Sequence, residues 1–282
     1  MQKTILITGA TSGIGRVTAL NLARNGAEVY FFARNPTSAA ELVETFQQTN
    51  PKGNKGSLQF MTADLAALQS VQKACDDFIE KVGRLDVLYN NAGIWNFKRA
   101  VTRDGLEETF QVNLAVPVYL KERFKTLLSQ SEDGRMIQTA SALHRGTVNF
   151  DDSGFEKGYG IGLKAYQQSK LGLILLSRLW ARDLKSSDIA TYSMHPGMVS
   201  TNIGRKGGFF VKALFNRFGI TPEKAAETLT YLGEAPKEEL TNGAYYIFHK
   251  PREHKAYSYS KDLQIAEKLE QLALDCLSNF IG

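Results

Sequence analysis

Short runs of β-branched and aromatic residues alternate along the chain with amphipathic stretches that carry helix start and stop signals. The runs predict strands at Thr4–Thr8, Val29–Ala33, Leu58–Thr62, Val87–Tyr89, Met136–Thr139, Thr191–Met194 and Ala244–Phe248, with helices beginning near Gly13, Ser38, Leu68, Arg103, Pro117, Leu163, Pro222 and Lys261. This is a βαβ rhythm. The predicted strands read as apolar runs without strict alternation, the pattern of strands covered on both faces. No Ser/Gly/Pro-rich linker, internal repeat or low-complexity tract interrupts the series. The expectation is an α/β fold: a single doubly wound domain over residues 1–282, with about seven parallel strands and helices on both faces. Within it a lid-like insertion is expected at about 199–220 and a C-terminal helix at about 261–279.

Composition narrows the class. With 282 residues, 43% of them hydrophobic, the chain can fill a core without disulfides, which excludes disorder and miniprotein scaffolds. The 34 basic against 29 acidic residues give a formal charge of +5, enough for phosphate-bearing small molecules but no sign of a nucleic-acid groove. Cys75 and Cys276 lie far apart with no CxxC, and the four histidines show no HExxH spacing, so neither a disulfide framework nor a zinc site is expected. The apolar run Ile5–Ile7 stops at Thr8-Gly9, short of a signal-peptide core, and nowhere do about 18 apolar residues occur together. A cytoplasmic protein without a transmembrane segment is expected.

The segment Thr8-Gly9-Ala10-Thr11-Ser12-Gly13-Ile14-Gly15 joins the first strand to a helical pattern (Val17, Leu20, Leu22, Ala23). Gly9 permits a tight turn, Gly13 lets the backbone approach a pyrophosphate, and Gly15 allows close helix-to-strand packing. The helix N-terminus offers its leading N–H groups to phosphate oxygens.

The spacing TGxxxGxG resembles that of the short-chain dehydrogenase/reductase family, whose other landmarks follow in order. Asn90-Asn91-Ala92-Gly93 follows the fourth strand, Asp64 and Leu65 follow the third, and Asn113 matches the helix asparagine. Ser141 ends the fifth strand, Tyr166-Gln-Gln-Ser169-Lys170 matches YxxxK, and Pro196-Gly197 with Val199 and Thr201 follows the sixth. Within the family the wording is most similar to the retinol-dehydrogenase-like and WW-domain-oxidoreductase-like branch, over roughly residues 3 to 250. Two departures stand out: Gln138-Thr139-Ala140-Ser141 replaces Asn-Val-Ser-Ser, and Leu114-Ala-Val-Pro117 replaces a His/Gly-rich run. The resemblance implies a Rossmann fold and a catalytic set of Asn113, Ser141, Tyr166 and Lys170, with Asn113 keeping a water in the proton path. It also implies a dinucleotide held by Gly9, Thr11, Ser12, Gly13, Ile14 and Gly15, by Arg34 and Asn35, and by Asp64 and Leu65. Asn91, Ala92, Gly93, Tyr166, Lys170, Pro196, Gly197, Val199 and Thr201 complete that set. The residues themselves leave a structural alternative for Asn113 (a helix cap) and for Asp64 (an N-cap of the helix near Leu68).

Tyr166 and Lys170, four apart on a helix, face one cleft. A nearby ammonium favours the phenolate, and lowering a phenol by about 3 units takes about 4 kcal/mol. In reduction Tyr166 donates its proton to the carbonyl oxygen, in oxidation it is the base, and Ser141 hydrogen-bonds that oxygen. At the end of the second strand, Ala33-Arg34-Asn35 lacks the carboxylate that a 2′-hydroxyl requires. Glu28 opens the strand, at the wrong end of the sheet. Arg34, with Arg16 as second cation, predicts NADP(H) over NAD(H). Between Ile189 and Thr221 no acidic residue occurs, while Arg205, Lys206, Lys212 and Arg217 stand among Phe209, Phe210, Leu214, Phe215 and Phe218. This basic aromatic segment predicts a lid over an apolar substrate, an interface or a peripheral membrane contact. His144 and His195, near the site's rim, read as loop and strand-end residues. The expected activity is hydride transfer between NADP(H) and a carbonyl/alcohol substrate, in a monomer or homodimer. The alternative is a non-catalytic NADP(H)-sensing or scaffold protein on the same fold.

Overall fold

A strand with apolar side chains on both faces has to be covered twice, and that requirement shapes the molecule. The computed structural model describes residues 2–50, 52–197 and 220–281. Strands β1 (Thr4–Thr8), β2 (Glu28–Ala33), β3 (Ser57–Thr62), β4 (Val87–Asn90), β5 (Arg135–Thr139), β6 (Ala190–Met194), β7 (Tyr245–Ile247) and β8 (Lys250–Pro251) form one sheet in the order β3-β2-β1-β4-β5-β6-β7-β8. The helices are α1 (Gly13–Arg24), α2 (Pro36–Thr49), α3 (Leu68–Lys81), α4 (Glu108–Phe110), α5 (Val116–Ser129), α6 (Leu163–Asp183), α7 (Pro222–Glu234) and α8 (Leu263–Cys276). Leu6, Leu88 and Met136 point from the sheet into the layer of α3, α5, α6 and α8. Their neighbours Ile5, Ile7, Val87, Tyr89 and Ile137 point into the layer of α1, α2 and α7. Strand order reverses between β1 and β4, which opens a crevice at the carboxyl ends of the strands, the usual ligand position in such sheets.

The sheet has eight strands where about seven were expected. The extra one, β8, is antiparallel to β7 (Tyr246 opposite Pro251, Ile247 opposite Lys250). The two residues between them, Phe248 and His249, both have positive φ (51° and 62°), as a two-residue hairpin turn requires, yet neither is a Gly, Asn or Asp that would signal it. The predicted strand therefore runs into the turn. The helix expected from Arg103 instead starts at Glu108, because residues 101–107 close on themselves. Val101 bridges Glu107, the Thr102 N–H donates to the Leu106 carbonyl at 2.9 Å, and the Glu107 carboxylate caps Thr109 and Phe110 at 2.9 and 2.7 Å.

Between α4 and α5 the chain makes a π turn, Gln111–Ala115, in which the Val116 N–H reaches back five residues to the Gln111 carbonyl. Pro117 has no N–H to give to the Asn113 carbonyl one turn earlier, so ordinary helical bonding is interrupted at the predicted site asparagine.

Candidate active site

The β1 turn is built by contact with the β4 loop. Gly9 has φ +72°, and a side chain there would strike the Ala92 backbone; one on Gly15 would strike the Gly9 carbonyl and Asn91. The Thr8 hydroxyl accepts from the Asn91 and Ala92 N–H groups at 3.1 and 3.0 Å, and Asn91 Nδ2 donates to the Thr8 carbonyl at 2.9 Å. Thr8, which opens the TGxxxGxG spacing but is assigned no role of its own by it, is thus the pin between the two phosphate-side loops. Ser12 caps α1 without a side-chain cap bond, and no acidic residue lies in the helix's first turn. A cradle of glycines in front of a helix end without negative charge suits a dinucleotide's phosphates.

Asn113 clamps the other side of that loop. Its Oδ1 accepts from the Ile94 N–H at 2.8 Å, and its Nδ2 donates to the Ile94 carbonyl at 2.9 Å and to Ser169 Oγ at 3.0 Å. The side chain is spent on the backbone that follows Gly93 and on the helix carrying Tyr166.

Helix α6 brings Tyr166 (7% exposed) and Lys170 (2% exposed) to the end of β5, where Ser141 leaves the sheet. Lys170 Nζ donates to the Thr139 carbonyl at 2.8 Å and lies 5.8 Å from the centre of the Tyr166 ring. Gly93 approaches it closely enough that a methyl group there would crowd Nζ. Burial pushes the Tyr166 phenol above its ordinary value, while hydrogen bonding with the Ser141 side chain pulls the other way. Burial takes the Lys170 ammonium down to about 8. Where the sequence argument has a nearby ammonium favouring the phenolate, the structure directs Lys170 Nζ at the Thr139 carbonyl, and burial opposes charge on both groups. At neutral pH Tyr166 keeps the proton that a general acid needs.

Two aromatic residues that sequence reasoning passed over complete the wall. Trp95 stacks on Tyr166 (centroids 5.2 Å, 17° between planes) and Phe97 stacks on Trp95 (5.1 Å, 11°), while the indole N–H donates to the Ile161 carbonyl at 2.9 Å. The signal was present, since both lie within four residues of Gly93, but nothing local says that a loop tryptophan meets a helix residue 71 positions on.

Elsewhere, Arg34 is exposed at the end of β2, and Asn35 Oδ1 caps α2 through the Thr37 and Ser38 N–H groups at 2.9 and 3.3 Å. Arg16 donates to Thr45 on α2 at 3.2 Å. Glu28 stands at the opposite end of β2, bonded by the Tyr30 hydroxyl. Asp64 is no N-cap: its Oδ1 takes the Ala66 N–H in a local turn, and the α3 N-terminus at Leu68 is served by Asp104 at 2.8 Å. The Leu65 carbonyl accepts from Gln111 at 3.2 Å. Thr11 lies on the turn after β1, Ile14 in the first turn of α1, and Pro196 and Gly197 follow β6. Val199, Thr201 and the basic aromatic segment lie outside the described residues. Among the described residues no helix is long and apolar enough to cross a membrane.

A doubly wound sheet, a glycine cradle at its switch point and a Ser-Tyr-Lys set beside it define a nucleotide-binding oxidoreductase. Residues 3–208 match the family model described as short chain dehydrogenase, and the chain belongs to that family, in its retinol-dehydrogenase-like branch. It is 37% identical over 284 residues to retinol dehydrogenase 14 of Homo sapiens, covering 95% of this chain and 84% of that protein. It is 30% identical over 293 residues to the WW domain-containing oxidoreductase of Drosophila melanogaster, covering 99% and 69%. A short chain dehydrogenase from Burkholderia cenocepacia J2315, solved in complex with NADP, aligns with a TM-score of 0.67 at 26% identity over 86% of this chain and 94% of that one.

Proposed function

We propose that the protein interconverts a carbonyl and an alcohol on an apolar substrate of retinoid, lipid-aldehyde or ketone type, uses NADP(H) in preference to NAD(H), and employs Tyr166 as general acid/base. The observation that carries this reading is the set of half-buried Ser141 with buried Tyr166 and Lys170, assembled by the end of β5 and α6 beside the glycine cradle. When bound, the dinucleotide supplies or takes the hydride. In the reducing direction Tyr166 donates its phenolic proton to the carbonyl oxygen, and the Ser141 hydroxyl holds that oxygen as negative charge develops. In the oxidising direction the Tyr166 phenolate takes the alcohol's proton, with the Lys170 ammonium 5.8 Å from the centre of its ring. Asn113 keeps Ile94, and with it Gly93, in place.

Arg34 at the exposed end of β2, without a carboxylate beside it, supports the phosphorylated cofactor, and Arg16 between α1 and α2 supplies a second cation. The Burkholderia relative's NADP complex supports the same choice. The reading includes a cytoplasmic location and a monomer or homodimer.

The test is cofactor consumption over a panel of aldehydes, ketones and quinones, with NADPH and NADH in parallel. Substrate-dependent turnover is expected to be faster with NADPH and to fall by about 10²–10⁴-fold in Tyr166→Phe. Equal rates with the two cofactors overturn the preference. Tight NADPH binding without turnover of any carbonyl overturns the enzymatic reading in favour of a sensing protein.

A further inference from the structure

Two histidines that the catalytic scheme leaves unused meet at the serine turn. The Ala142 N–H donates to His195 Nδ1 at 3.1 Å, and His144 Nδ1 lies 2.5 Å from the Ser141 carbonyl oxygen. On the far side of its ring, His144 Nε2 accepts from the Tyr257 N–H at 3.1 Å. The partners dictate the tautomers. A backbone N–H only donates and a carbonyl only accepts, so His144 carries its proton on Nδ1 and His195 carries its own on Nε2. Neither ring can take a second proton without setting an N–H against an N–H.

We propose that His144 and His195 are positioning residues for Ser141: as neutral imidazoles they grip the Ser141 carbonyl and the adjoining Ala142 N–H from two sides and so aim the Ser141 hydroxyl. The inference rests on the proposed carbonyl chemistry, in which that hydroxyl must meet a developing oxyanion. Ala142 and Leu143 are exposed; besides the histidines, the turn has two local bonds, from the Leu143 N–H to Ser141 Oγ at 3.2 Å and from the His144 N–H to the Ser141 carbonyl at 3.3 Å, and a long one from the Tyr245 hydroxyl to that carbonyl at 3.5 Å. The histidines come from elements that are themselves anchored. His195 ends β6, its N–H bonded to the Tyr246 carbonyl at 3.0 Å, and buried His144 packs on the Tyr245 ring at 4.9 Å.

The surroundings keep both rings neutral. Around His144 stand Arg145 from its own loop and Arg178 from α6, the latter paired with Glu253; His195 faces His144 and Lys255. Burial together with these cations holds both imidazoles below their ordinary value, His195 at about 4. Through Tyr257 the grip extends to the segment after β8, so the serine is oriented by chain more than a hundred residues downstream.

The experiment has two arms. In the first, amide exchange across residues 140–149 is compared in wild type, His144→Leu and His195→Leu. The Ala142 amide is expected to exchange faster once His195 is lost, and the turn around Ser141 once His144 is lost. In the second, with NADPH and the best carbonyl of the panel, either leucine variant is expected to lower kcat roughly tenfold to a hundredfold, less than removing an oxyanion donor outright. The NADPH Kd from fluorescence titration should stay within about twofold. His195→Asn, whose Oδ1 stands where Nδ1 accepts, is expected to recover most of the lost kcat. In a Ser141→Ala background, neither leucine substitution should cost anything more. Unchanged exchange in both variants, or kcat losses that simply add to that of Ser141→Ala, would overturn the proposal. A wild type that turns over no carbonyl, but whose exchange responds to the variants, sinks the carbonyl chemistry and leaves the grip itself standing.

Discussion

Lys170 is a cation with burial alone acting on its titration, and a native protein keeps such a group only where it does something. Its shift from the ordinary lysine value to about 8 corresponds to about 3 kcal/mol of destabilisation at neutral pH. The bond to the Thr139 carbonyl returns about 1 kcal/mol of that. Lys170→Met is therefore expected to stabilise the protein by about 2 kcal/mol at pH 7 while abolishing turnover. The sign follows from linkage. The folded state releases the lysine proton near 8 and the unfolded state only near 10.5, so the wild-type penalty is full below 8 and fades as pH rises between the two. Urea midpoints at pH 7 and 9.5 check this, the variant's advantage shrinking at the higher pH. That Tyr166 and Lys170 share a face was legible from their spacing; the direction of their shifts was not, because it depends on how deeply β5 and the loop after β4 bury them, to which spacing is blind. His144 and His195 show the same limit, reading as ordinary loop and strand-end residues until the Ser141 turn is seen between them.

Elements were legible wherever local chemistry agrees with global placement, and the exceptions have local causes. The β7–β8 hairpin places Phe248 and His249 in the left-handed region, which costs an L-residue roughly 1–2 kcal/mol. Stacking of His249 on Tyr231 (4.9 Å) offsets part of this. Replacing the pair by Phe248→Asn and His249→Gly is expected to raise stability by about 1 kcal/mol, read as a shift of the denaturation midpoint at unchanged m-value. The loop after β4 behaves in the opposite way, because its strain-free aromatic stack carries function. Each stacked pair is worth about 0.5–1.5 kcal/mol, so Trp95→Ala releases both Phe97 and the Tyr166 ring, together with the tie to Ile161. A kcat loss of about tenfold is expected, with NADPH affinity unchanged. Trp95→Phe, which keeps a ring but no N–H, should fall between. A Trp95→Ala variant with wild-type kcat would show that Tyr166 is held by α6 alone.

At the scale of the molecule, the cradle belongs to no single element: Thr8 and Gly9 come from β1, Asn91 to Gly93 from β4, Lys170 from α6, and Asn113 ties the last two together. The apolar runs made the covered sheet predictable, and strand order supplied the crevice, but which loops lock together depended on hydrogen bonds between residues about 50 to 80 positions apart. The helix that carries Tyr166 is in turn packed by the last one, with Gly172 of α6 so close to Leu114 and Leu269 that a methyl group would displace both. A ligand bound across such a cradle contacts parts that cannot open independently, so its binding energy should appear in global unfolding. The expected result is one cooperative urea transition, with coincident tryptophan fluorescence and far-UV circular dichroism, that rises by about 2.7 kcal/mol at 100 times the Kd of NADPH. Gly172→Leu, which pushes α8 and the π turn away from α6, should both lower that transition by roughly 1–3 kcal/mol and reduce the NADPH-dependent gain. If the two probes separated instead, or if NADPH protected only one of them, residues 1–282 would comprise more than one folding unit and the coupling between α8 and the site would be lost.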